Sequence, residues 1–151
     1  MGAVAAAIFL AEGLIKAYFR TSLAFQSIPV IPNIFHLTVV FNKGAAFGIF
    51  AGRTTFLIYV TIVFIFVFAL FVKHEKKRNM FFLAACGMIL GGAISNLADR
   101  VFLGYVVDYL DFRVWPVFNL ADSCITVGSG ILIFDSFRCQ IKGEHGKDSG
   151  S

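Results

Sequence analysis

The chain has 151 residues, of which 58% are apolar, only 15% are charged and nineteen are phenylalanine. A water-soluble domain of this size has too small an interior to bury so much apolar surface, so the composition points to lipid as the solvent. The net charge of +4 does not indicate nucleic acid, because the basic residues follow the borders of the apolar segments and form no stripe along one helix.

Crossing a hydrocarbon core about 30 Å thick takes about 20 apolar residues in a helix. Four segments qualify, at about 2–18, 56–72, 80–98 and 120–137, which gives an all-α membrane protein with four transmembrane helices. The first segment carries Glu12 and Lys16, four residues apart on one helical face, and the plain reading is a mutual ion pair. It has no Lys or Arg ahead of its apolar run and no clear small-residue cleavage site after it, which argues against a cleaved signal peptide.

Between the first two spans, Ile28 to Asn33 is too rich in proline for a helix, and Phe35 to Phe41 is rich in β-branched and aromatic residues. Short strands forming a small sheet on the membrane face are expected there. The following Asn42 to Gly48 has small residues and one Phe, which suits a flap or floor for an extended peptide and equally a tight turn.

The second and third spans contain no charge, and the link between them, Lys73 to Arg78, is densely basic. Arg138, Lys142 and Lys147 follow the fourth span, so seven cations lie on that side against five on the other, and the positive-inside tendency puts both termini in the cytoplasm. Gly87, Gly91 and Gly92 in the third span, with Gly128 and Gly130 in the fourth, are read as sites of close helix packing. Residues 1–141 form one membrane-embedded domain and 142–151 a polar, disordered cytoplasmic tail. Cys86, Cys124 and Cys139 offer no extracytoplasmic disulfide, and the three scattered histidines suggest no metal site.

An acidic residue within a span needs a partner, a watery cavity or a task. Asp135 sits near the cytoplasmic end of its helix and can reach the interface. Asp122 stands at the outer entrance of the fourth span, three residues after Asn119, where a helix cap with Asn119 as N-cap would explain it. Asp108 and Asp111 lie on the same outer face, close enough along the chain for the loop to bring either of them to Asp122. Two carboxylates about 4 Å apart repel by about 4 kcal/mol at an effective dielectric near 20, so one would hold a proton that the other lacks. Such a pair suits amide hydrolysis by an activated water, without a nucleophilic side chain or metal. On the residues alone, the choice between Asp108 and Asp111 stays open.

Four ordered blocks narrow the reading: Asn42 to Gly48, Gly92 to Arg100, Gly104 to Asp108, and Phe118 to Asp122. Over nearly its whole length the chain resembles the lipoprotein signal peptidase family, the type II signal peptidases, which are aspartic proteases of the bacterial inner membrane. The resemblance implies four spans with both termini cytoplasmic, a small extracytoplasmic sheet, and cleavage of prolipoproteins before a diacylglyceryl-modified cysteine. It places the catalytic aspartates on Asp108 and Asp122, which leaves Asp111 accessory, and the substrate-facing polar residues on Asn42, Asn96, Arg100 and Asn119. Glu12, Lys16 and Asp99 are expected to be structural, with pairing of Asp99 to Arg100 the plainer reading of that arginine. Glu12 stands where the family usually has Asp, and Ser95 where it more often has Gly. The implied partners are the prolipoprotein substrate and membrane lipids, with no cofactor, no nucleic acid, and a monomer as the working unit.

Asp122, at a helix N-terminus, is expected to be the more readily ionised member of the pair. A small transporter is the main competing reading, but it would string carboxylates across the bilayer, and here Asp108, Asp111 and Asp122 gather at one face. A purely structural four-helix partner leaves the four polar blocks unexplained.

Overall fold

The computed structural model describes residues 1–24, 26–44, 50, 52–76 and 78–148, with side chains as far as residue 137. The chain order is α1 (Gly2–Ser22), β1 (Ser27–Ile31), β2 (Phe35–Asn42), α2 (Thr54–His74), α3 (Met80–Phe102), β3 (Val106–Asp111) and α4 (Leu120–Asp148). Among the described residues, α1, α2, α3 and the Leu120–Phe137 part of α4 are each long and apolar enough to span a membrane. The first three helices run a few residues past the expected apolar cores, since a helix nucleated in the span propagates cheaply into its flanks. α4 continues to Asp148, beyond residue 141, where the sequence places the start of the tail.

α3 is the centre of the bundle. Its glycines let two neighbours approach: a Cβ on Gly91 would lie 2.8 Å from the Ala5 carbonyl oxygen of α1, and one on Gly92 only 2.5 Å from that of Ala121 in α4. No side chain fits at either contact, which bears out the packing role expected of these two positions. At its start, the Asn79 side chain accepts the Phe82 N–H at 2.7 Å and donates to both oxygens of Asp135, at 2.9 and 3.0 Å. Asp135 is thus tied to α3 as well as lying near the end of its own span.

The strands form one antiparallel sheet in the order β1-β2-β3. It sits where α1 and α3 end and α2 and α4 begin, packed on the last turns of α1. Phe19 of α1 stacks on Tyr109 of β3 with ring centroids 4.5 Å apart, and Val39 and Val107 complete that small buried core. Beyond β3 the chain turns back on itself: Phe118 donates to the Leu110 carbonyl at 3.1 Å, and its own carbonyl accepts the Leu110 N–H at 2.7 Å. This short pairing delivers the start of α4 to the side of β3.

Candidate active site

Side chains of a strand alternate between its two faces, and on β3 that alternation separates the acidic residues. Val107 and Tyr109 point into the sheet's core, and Asp111 shares their parity. Val106 and Asp108 line a cleft of about 960 Å³ at the sheet end of the bundle, together with Asn42, Asn96, Arg100 and Asp122. Asp111 serves the turn instead. It accepts the Thr38 hydroxyl at 2.8 Å, the Arg113 N–H at 2.8 Å and the Arg113 guanidinium at 3.1 Å, holding Arg113 in the left-handed region at φ 65°. Burial pushes the Asp111 carboxyl up, but these donors together hold it below the usual carboxylate range.

Asp122 enters the site through a capping box. Asn119 is the N-cap of α4, its Oδ1 accepting the Asp122 N–H at 2.9 Å while Asp122 Oδ2 accepts the Asn119 N–H at 3.3 Å. The cap expected from the sequence therefore exists, and it fixes the direction of the Asp122 side chain.

The same Asn119 joins the two carboxylates. Fully buried, it donates through Nδ2 to Asp108 Oδ1 at 2.7 Å while its backbone N–H serves Asp122. Asn42, at the end of β2, donates to the other oxygen of Asp108 at 2.8 Å and is itself aimed by the Gly44 N–H, 2.9 Å from its Oδ1. Asn96 of α3 donates to Asp122 Oδ1 at 2.7 Å. Three asparagines thus direct amide hydrogens onto the two carboxylates. Among the four residues that the resemblance turns toward substrate, Asn119 does not line the cleft; Asn42, Asn96 and Arg100 do.

Asp108 is 2% exposed. Burial pushes its carboxyl up to about 7, against the pull of the Asn42 hydrogen bond and with the push of the Asp122 charge. One member of the pair is therefore poised to hold a proton near neutrality while accepting hydrogen bonds from two amides.

Arg100 reaches backbone carbonyls, that of Gly44 at 3.2 Å and that of Asn96 at 3.4 Å. Asp99, with which a plain ion pair is the alternative reading of Arg100, is taken by Lys16 at 3.0 Å. The expected Glu12–Lys16 pair exists at 3.6 Å but does not close on itself, since Lys16 also donates to Asn96 Oδ1 at 2.8 Å. Glu12, wholly buried, accepts the Tyr109 hydroxyl at 2.8 Å and the Ala121 N–H of α4 at 3.3 Å. The physical reason is burial: a carboxylate and an ammonium shut away from water, beside a half-buried second carboxylate, need more donors and acceptors than a single pair supplies. Tyr109 is the member of this layer to which the sequence assigned no role. Its hydroxyl also accepts the Leu120 N–H at 3.2 Å, and burial beside Glu12 pushes its ionisation upward, so it remains a phenol. Residues 45–48 of the expected flap lie outside the described residues.

Comparison with known proteins gives a consistent answer. The family model for signal peptidase (SPase) II matches residues 4–138. A lipoprotein signal peptidase of Halothermothrix orenii is 51% identical over 108 residues, covering 72% of this chain and 74% of the relative. That of Pseudomonas aeruginosa is 38% identical over 148 residues, covering 91% and 87%. A bacterial membrane enzyme solved by the in meso method at 2.3 Å superimposes with a TM-score of 0.83 at 31% identity, over 89% of this chain and 85% of the other.

Proposed function

This chain belongs to the signal peptidase II family of membrane proteases, and from that membership we propose that it is an aspartic endopeptidase that removes signal peptides from prolipoproteins. In this reading it cuts before the diacylglyceryl-modified cysteine, in the bacterial inner membrane, with Asp108 and Asp122 as the catalytic pair. The observation that carries the reading is the Asn119 bridge, which serves one carboxylate with its amide and the other with its backbone N–H.

Asp122, ionised, takes a proton from a water whose oxygen adds to the scissile carbonyl carbon. Asp108, protonated, donates to the carbonyl oxygen as charge develops there. Collapse of the tetrahedral intermediate breaks the C–N bond as the proton gathered by Asp122 passes to the departing cysteine amine and one hydroxyl of the intermediate returns its proton to Asp108, so the products are a carboxylic acid and a free amine and the pair regains its starting protonation. No cofactor enters these steps. Arg100, always cationic and lining the cleft, is assigned to a substrate carbonyl or to the lipid ester oxygens. Asn42 and Asn96 hold the carboxylates at the cleft wall, and Asn119 holds them from behind.

The acyl chains remain in the bilayer beside the helices, so the membrane concentrates the substrate and presents its scissile bond at the depth of the sheet. The basic links put both termini in the cytoplasm and the sheet outside, and a single chain suffices. Purified enzyme in detergent, supplied with a diacylglyceryl-modified prolipoprotein, tests the chemistry. Asp108→Asn and Asp122→Asn are each expected to lose at least about a thousandfold in kcat; a folded variant that processes substrate at the unmodified rate removes its residue from the mechanism. A cysteine placed at position 76 should label only from the cytoplasmic side.

A further inference from the structure

Beneath the proposed pair lies a layer of charge that the reaction does not use: Glu12 and Lys16 on α1, 0% and 3% exposed, and Asp99 on α3. A lysine ammonium has three hydrogens and no acceptor. Around that of Lys16 stand three oxygens, Asn96 Oδ1 at 2.8 Å, Asp99 Oδ2 at 3.0 Å and Glu12 Oε1 at 3.6 Å. Two of these lead in one step to the catalytic carboxylates. Asn96 passes its Nδ2 to Asp122 Oδ1 at 2.7 Å, and Asp99 accepts at 3.1 Å the N–H of Val107, the residue before Asp108.

The Asn96 amide could in principle stand either way round. Turned over, its N–H2 would face the ammonium and its carbonyl oxygen would face the Asp122 carboxylate, two repulsive contacts replacing two charge-assisted hydrogen bonds. The cation on one side and the anion on the other therefore admit one orientation. Asn119 Nδ2, 3.2 Å from Asn96 Oδ1, agrees with it.

We propose that Lys16 is a positioning residue for the catalytic pair, fixing the Asn96 amide so that its N–H2 faces Asp122. The inference rests on the reading of Asp108 and Asp122 as that pair. Among the described residues, the charged and titratable groups that face Lys16 are Glu12 on its own helix, Asp99 on α3, Asp108 on β3 and Asp122 on α4. The Lys16 charge is among those that pull the Asp108 carboxyl down, so its removal should move the alkaline limb of the activity profile to higher pH.

The test is steady-state cleavage of a diacylglyceryl-modified prolipoprotein peptide by the full chain in detergent. Lys16→Met is expected to lower kcat by about 10- to 100-fold, with KM within about threefold and the alkaline limb shifted upward. Lys16→Arg, which keeps a cationic donor for Asn96, should recover most of kcat. In an Asn96→Ala background, Lys16→Met should cost no more than about a further twofold. Unchanged kcat in Lys16→Met, a change in KM alone, or losses that multiply in the double variant would each overturn the proposal. Should Lys16→Met not fold, Lys16→Gln, one bond too short to reach Asn96, is set against Lys16→Arg, and equal kcat for those two overturns it as well. Asp108→Asn run in parallel separates the failures: an active Asp108→Asn sinks the catalytic pair itself, whereas an inactive one beside an unimpaired Lys16→Met sinks only the role of Lys16.

Discussion

Helices α2 and α3 are adjacent, similar in length and both free of charge over their central turns, yet 11% of the residues in the apolar window of α2 are buried and 61% of those in α3. α2 turns Tyr59, Val63 and Phe66 outward, each more than three-fifths exposed, while α3 packs Ala85, Cys86 and Gly92 against its neighbours and ends in Asn96, Asp99 and Arg100. The more uniformly apolar helix is the less embedded one. Lipid satisfies Phe and Val as well as a protein interior does, so hydrophobicity inserts a helix without placing it. Small and polar residues place it, because they must meet particular partners.

That contrast can be broken most severely at the α3–α4 contact. Gly92→Val would push its side chain into the Ala121 carbonyl and displace the capping box at the start of α4; we expect a loss in kcat of at least about 100-fold, read in the prolipoprotein cleavage assay. Next in size is the response to pH of the pair that α3 supports. If Asp108 must be protonated and its carboxyl titrates at about 7, kcat should fall about tenfold between pH 6 and pH 8. A flat profile over that range would take the acid role from Asp108. A moderate effect is expected at Tyr109→Phe, which leaves Glu12 Oε2 and the Leu120 N–H without their partner. Losing one such buried bond costs about 1–3 kcal/mol, a fall in Tm of about 2–12 °C, measurable by thermal unfolding in detergent. Phe66→Leu on the outward face of α2 should change cleavage by less than about twofold; a larger loss would show that α2 has a protein partner and would erase the contrast.

The four spans and the strand-forming loop were legible because each depends on local composition: about twenty apolar residues suffice for a crossing, and proline followed by β-branched and aromatic residues disfavours a helix. The cap at Asn119 was legible for the same reason, being a pattern confined to four residues. Choosing Asp108 over Asp111 was not, since spacing along the chain permits both. The register of β3 separates them, with Val40 opposite Asp108 and His36 opposite Asp111, so that one faces the cleft and the other pins a turn.

The sequence by itself determined that this chain lives in a bilayer, how many times it can cross, and which acidic residues collect at one end, since each of these follows from the solvation of a segment taken alone. Only the tertiary structure decided who pairs with whom. Lys16 serves Asp99 and Asn96 as well as Glu12, Arg100 turns to backbone carbonyls, and Tyr109 closes the circuit between α1 and α4. Hydrogen bonds among side chains up to about a hundred positions apart are set by which helices touch, and in this protein the touching is governed by glycines, Gly87 and Gly91 where α3 meets α1 and Gly92 and Gly128 where α3 meets α4.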